Sequence, residues 1–248
     1  MTRPVLVPVR VLEGESVPAA LVEALTHVPV VVLGYHVVPD QTAPGQARMQ
    51  FEARAQGELD DLRDAFVAAG GEAETRLVFT HDATQTVERV AVESGAGSVL
   101  LVNPATAVED VLVAVAATIS LDRIADVVAT LVADSPLSIT VAHAATPDAD
   151  DGATELVATF ASKLVDRGVD AGAVTTLVEE TDAPIREVAD LASGFDLVVV
   201  GESEPELLDR VFGDNTERIA AESLTPTLIV RRLVEDGPRA DEDDGGDR

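Results

Sequence analysis

VVVGESEPELLDRVFGDNTERIAAESLTPTLIVRR occupies Val198–Arg232. An apolar run ends at Gly201, and an acidic loop carries Glu202, Glu204, Glu206 and Asp209. A second glycine, Gly213, leads into a helical pattern near Asn215–Ser223, and a last apolar run covers Pro226–Arg232. Strand, helix and strand in this order predict a right-handed crossover between parallel strands.

The same alternation extends upstream. Strands are predicted at Val5–Val9 (VLVPV), Val30–Val38, Glu74–Thr80 and Val99–Asn103. Between them lie helical patterns at Ser16–Leu25, Ala47–Ala69 and Ala83–Ser94; the second carries Phe51, Leu59, Leu62 and Phe66 at helical spacing. The strands lack polar alternation, as expected of a parallel sheet covered on both faces. Then the order restarts. DVLVAVA at Asp110–Ala116 matches PVLVPVR at Pro4–Arg10, ITVAHAATPD places His143 on His36, and Asp182 falls on Asp82. The first copy stops at Asn103, without a last helix and strand. The expected division is a truncated unit at 1–107, a complete unit at 108–233, and an acidic tail at 234–248. The tail has little apolar content to bury and is expected to be disordered.

Composition narrows the class. The 248 residues carry a formal net charge of −28, with one Tyr, no Trp and no Cys. A basic face for nucleic acid is missing, and so are thiolate metal sites and disulfides. The apolar content is too high for an acidic disordered chain. A carboxylate-covered surface instead suits high salt, where the Debye length shrinks to ~3 Å at 1 M. A salt-loving microbe, a halophilic archaeon, is the expected source. The opening MTRPVLVPVR has no signal-peptide pattern, and the most apolar window is broken by Pro104, Glu109 and Asp110. The expectation is a soluble cytoplasmic protein with no membrane insertion.

Each copy resembles the universal stress protein family. The resemblance rests on the VLVPV first strand, the His-Val end of the second strand, DLVVVG at Asp196–Gly201 and FGDNTERIAAESLTPTLIVRR at Phe212–Arg232. It implies α/β sandwiches of five parallel strands, and a homodimer made by the last strand, here Pro226 to Arg232. It also implies, for many members, ATP in the crevice at the carboxyl ends of the strands. A nucleotide would then meet Ala116, Ala144, Gly201, Gly213, Asp214, Asn215 and Thr216 of the second copy.

The residues at those positions depart from the family pattern. Glu204 stands where a second glycine should let the backbone approach phosphate, and Asp214 replaces a hydroxyl donor. Asp214–Glu217 reads as a capping box. Arg10 and Ala116 occupy the place of the family's adenosine-recognising Asp, and the first copy carries NPATAVE in place of a glycine loop. The phosphate grip is therefore expected to be degenerate, with no cofactor, ATP or AMP being the alternative. Arg10 is expected to pair with Glu13 or Glu15.

No Walker sequence, G-x-S-x-G or H-E-x-x-H occurs. His81 beside Asp82 suggests an acid–base pair, yet Asp82 and Asp182 both open helices and read as N-caps. The DADD run at Asp148–Asp151 lacks calcium-loop order. The chain is thus expected to be a non-enzymatic stress-type protein acting through its assembly and surface. The alternatives are an ATP/AMP sensor using the second copy, or a soluble regulatory partner of a membrane transporter.

Overall fold

Val- and Leu-rich runs become the central strands, and the outer strands β3 (Ala73–Thr80) and β7 (Val174–Glu180) also carry polar residues. The computed structural model of the chain describes residues 2–116, 120–133, 135–146, 152–201 and 225–232. The first half holds β1 (Val5–Val9), α1 (Ala19–Ala24), β2 (Val30–Val37), α2 (Pro44–Ala68), β3 (Ala73–Thr80), α3 (Ala83–Glu93) and β4 (Ser98–Leu101). The second holds β5 (Asp110–Ala114), α4 (Leu121–Leu131), β6 (Ser138–Ala145), α5 (Ala153–Val165), β7 (Val174–Glu180), α6 (Pro184–Ala192), β8 (Leu197–Gly201) and β9 (Thr227–Val230).

Prolines adjust the predicted boundaries. Helix α1 starts after Pro18, because the residue before a proline is driven away from helical geometry. Pro44 starts α2 three residues ahead of the expected Ala47, at the position where a missing N–H costs nothing. Asp82 caps α3 as expected, its carboxylate accepting from the Gln85 N–H at 2.9 Å. Asp182 does not cap α6, which corrects that expectation. Pro184 opens α6 and Ala183 is the capping residue, so Asp182 stands one residue too early. The predicted helix at Asn215–Ser223, the DADD run and the tail lie outside the described residues.

The nine strands among the described residues form one sheet in the order β3-β2-β1-β4-β9-β8-β5-β6-β7. Every pair is parallel except β4 with β9. The second half is thereby turned end for end against the first. That reversal explains the short link at 102–109: the carboxyl end of β4 lies at the same side of the sheet as the start of β5. No helix or strand intervenes, and Ala107, the expected boundary, lies in this link. The link is tied down by Asp196, whose carboxylate accepts from the Glu109 and Asp110 N–H groups at 2.8 and 3.0 Å, and by Asn103 Nδ2 donating to Thr225 O at 3.2 Å.

With no strand of its own beyond β4, the first half would leave that sheet edge unpaired. Strand β9 covers it. Leu228 pairs with Val199 on one side and with Leu100 on the other. This corrects the expected homodimer through Pro226–Arg232. Both edges of β9 are occupied within the chain, so it offers no free ladder to a second copy.

Side-chain alternation sorts the core onto the two faces. Val5, Val7, Val9, Val111, Val113, Leu228 and Val230 join Leu59 and Phe66 of α2, Ile124 and Val128 of α4, and Phe160 of α5 in one continuous layer. On the other face Leu6, Val99 and Ile229 pack with Val87 and Val90 of α3, while Leu112 and Val198 meet Ala192 of α6. Gly34 shows how tightly the first layer is closed: a Cβ there would lie 2.8 Å from Leu59 Cδ1. No helix among the described residues is long and apolar enough to cross a membrane.

Candidate functional site

In the second half, β6 and β7 extend to one side of β5 while β8 and β9 lie on the other. The chain therefore reverses its direction of travel across the sheet between β5 and β8, a switch point that opens a crevice beyond the carboxyl ends of the strands. Register places the candidate residues there. Ala114 pairs with Ala142 on one side and Val200 on the other, and the Val115 N–H donates to Ala142 O at 2.9 Å. Gly201, Ala116 and Ala144 are thus brought to the same edge, in that order across the sheet. Each is partly exposed. Gly213, Asp214, Asn215 and Thr216, like Glu204, lie outside the described residues.

Among the described residues, the two alanines bring no polar side chain to this edge. Ala116 has no side chain able to hydrogen-bond a sugar or base, and Ala144 adds only a methyl group. His143 stiffens the floor: its Nδ1 lies 2.8 Å from Val115 O, joining β6 to β5. His36 was expected at the equivalent place in the first half, and strand pairing corrects this. Val5 pairs with Val30 and Val111 with Ile139. Counted from those partners, His36 stands one same-face position further along its strand than His143. Matching the sequences by their histidines slips the register by one pleat. The His36 ring lies edge-on to Phe51 and Phe79, with centroids 6.0 Å from each. Its Nδ1 is buried without a hydrogen-bond partner among the described residues.

At the corresponding strand end of the first half, Arg10 engages neighbours of its own chain. Arg10 leaves the end of β1, and its Nε donates to the hydroxyl of Tyr35 at 3.0 Å. Its guanidinium meets Glu13 at 3.5 Å, and its backbone N–H donates to Glu15 Oε2 at 2.6 Å. Gly14, at φ +76°, makes the tight left-handed turn between those two acids. Of the two expected partners, Glu13 or Glu15, the guanidinium pairs with Glu13, Glu15 takes the backbone N–H, and Tyr35 is a further partner that sequence reasoning missed. Burial raises the Tyr35 hydroxyl pKa, an effect that the Arg10 hydrogen bond and charge partly offset. A lone tyrosine on a buried strand was the available signal.

The His81–Asp82 pair does not form an acid–base couple. His81 Nδ1 lies 3.1 Å from Val38 O, while Asp82 is spent on its cap. Thr80 Oγ1 accepts from Asp82 N and Thr86 Oγ1, completing a helix-start network. Among the described residues no three His, Asp or Glu side chains are grouped to hold a metal ion.

No family model matches this chain, and no curated protein does. Solved structures do. A universal stress protein from Archaeoglobus fulgidus DSM 4304 superposes with a TM-score of 0.62, covering 93% of this chain and 96% of that one at 14% identity. The cytoplasmic domain of a prokaryotic cation chloride cotransporter superposes with a TM-score of 0.52, covering 92% of this chain and 95% of that one at 13% identity. A universal stress protein in complex with cAMP aligns with 51% of this chain and 98% of its own, at 23% identity and a TM-score of 0.40. The α/β fold of this chain is the fold of universal stress proteins.

Proposed function

We propose that the chain is a non-enzymatic, universal-stress-type protein that works through its surface and its internal pairing of two copies of one unit, with a degenerate nucleotide crevice. One observation carries this reading: at the switch point of the second half, the strand-end residue that would need to recognise a nucleoside is Ala116, between Gly201 and Ala144. Among the described residues of this site, Ala116 and Ala144 bring no polar side chain to orient a polar ligand. In the first half the comparable space holds Arg10 with its own partners, Tyr35 and Glu13.

The acidic surface fits work in the cytoplasm of a salt-loving archaeon, where concentrated salt screens a net charge of −28. The dimer of the related fold is replaced in this reading by one chain, with β9 closing both halves.

Calorimetric titration with ATP·Mg²⁺ and with AMP, in multimolar KCl, tests the proposal. No heat with either ligand is the expected result. Tight binding of one nucleotide per chain would make the second half a nucleotide sensor, with Gly201 and the Gly213–Thr216 segment as its grip. A Gly213→Arg variant that lost the nucleotide while staying folded would then locate it.

A second reading draws on the likeness to the cotransporter domain: a soluble regulatory partner docking on a membrane carrier. Affinity purification from membranes of the source organism tests it. Failure to enrich any carrier over an unrelated acidic bait counts against it.

A further inference from the structure

The reversal of the second half leaves a cavity of about 780 Å³ at the seam between the halves. The first half supplies Arg3, Val28, Gly97 and Ser98, from the region where β1, β2 and β4 begin. The second supplies α4, through Ser120, Asp122, Arg123 and Asp126, together with Arg167. Ala116, Ala144 and Gly201 do not line this cavity, which is distinct from the carboxyl-end crevice.

Its charges do not cancel. Asp122 accepts from Lys163 at 2.7 Å and from Arg167 at 3.1 Å, and Asp126 takes Arg167 Nε at 2.6 Å. Two carboxylates are thus matched by two cations. Arg3 and Arg123 remain, and neither has a carboxylate partner among the described residues, in a chain with 45 acidic side chains and only 17 Lys and Arg. Arg123 spends one donor, Nη1, on Arg231 O at 3.0 Å. Arg231 adjoins the cavity, since its N–H donates to Gly97 O at 2.9 Å, and its own Nε is buried without a partner among the described residues. Among the described residues, each half thus brings to one cavity a guanidinium with no carboxylate against it, a group suited to an external anion. Guanidinium forks match phosphate oxygens in shape and charge. The volume exceeds what a bare phosphate fills, and Val5, Val28 and Val127 add apolar wall.

We propose that the seam cavity binds a small phosphate monoester, its dianion held between Arg3 of the first half and Arg123 of the second. Ligand binding would join the two halves at a place other than β9, and so report on their packing.

Isothermal titration of the full chain tests this, in the lowest KCl that preserves its native circular dichroism. The probes are glucose 6-phosphate, inorganic phosphate, and glucose as the uncharged control. Glucose 6-phosphate is expected to bind one per chain, more tightly than phosphate, and glucose not at all. Arg3→Ser, at an exposed residue, and Arg123→Gln are each expected to weaken binding roughly tenfold or more. Arg54→Ala, on the exposed side of α2, should leave it unchanged. The proposal is overturned if neither phosphate binds, if only inorganic phosphate binds, or if affinity survives in both Arg3→Ser and Arg123→Gln. Arg3→Ser decides the matter alone should Arg123→Gln fail to fold.

Discussion

Val99 and Ile229 face each other across the antiparallel ladder of β4 and β9, while the opposite edge of Ile229 pairs in parallel with Val200 of β8. Both Val99 and Ile229 are buried against α3. This contact joins the first half to the last strand of the second, so the strand closing one half also closes the other.

Ile229→Ala should therefore destabilise both halves together. Ile229 is 1% exposed, and truncating a buried Ile costs about 2–5 kcal/mol. Urea unfolding at fixed KCl is expected to show one transition, displaced to lower urea, with β2 and β6 losing hydrogen-exchange protection in step. Two separated transitions would mean that β9 does not couple the halves.

The two aspartates that look alike in sequence should differ in effect. Asp82→Ala removes the carboxylate that accepts from Gln85 N–H and should cost about 1 kcal/mol. Asp182→Ala removes no cap, because α6 begins at Pro184 behind Ala183, and should change stability by no more than about 0.5 kcal/mol. Equal losses in urea titrations would refute the assignment of the caps.

Tyr35 is the chain's one tyrosine, so absorbance of tyrosinate reads it alone. Burial favours the neutral phenol and raises its pKa above the ordinary 10.0, while Arg10 acts in the opposite sense. The raised value means that this contribution to stability is complete below the unfolded pKa and is lost as pH rises through the folded one. The folded protein should therefore titrate above free tyrosine, and Arg10→Leu should move the midpoint higher still. An ordinary midpoint with native circular dichroism would contradict the burial argument.

Asp122 should show the reverse pH dependence. Hydrogen bonds from Lys163 and then Arg167 hold its carboxyl below the ordinary 3.8. A depressed carboxylate pKa stabilises the fold above the unfolded value, and that contribution fades as pH falls through the folded one. Asp122→Asn is expected to be less stable than the parent near neutral pH, with the gap closing in acid. Because the side chain is exposed, added KCl should narrow the gap too. A gap independent of both pH and salt would show that charge is not its origin.

The crevice was only partly legible in sequence. Ala116, Ala144 and Gly201 stand at one edge because parallel strands end together, as the pairing of Ala114 with Ala142 and Val200 shows. The seam cavity had no sequence signal, because Arg3, Gly97, Arg123 and Arg167 are far apart in the chain. The link from Arg10 to Tyr35 was hidden for the same reason, as it crosses from the end of β1 to β2.

What the sequence determined by itself is local: the Val-rich strand runs, the crossover order and the cap at Asp82. Each follows from propensity, period or a contact spanning a few residues. Tertiary structure alone decided which edge β9 would cover, that the second half would lie reversed, and that His36 and His143 would sit one pleat out of step. A strand carries two hydrogen-bonding edges of equal chemistry, and its residue pattern records which face is buried without naming the neighbour on either side. That neighbour is chosen where the whole sheet leaves the fewest backbone groups unpaired.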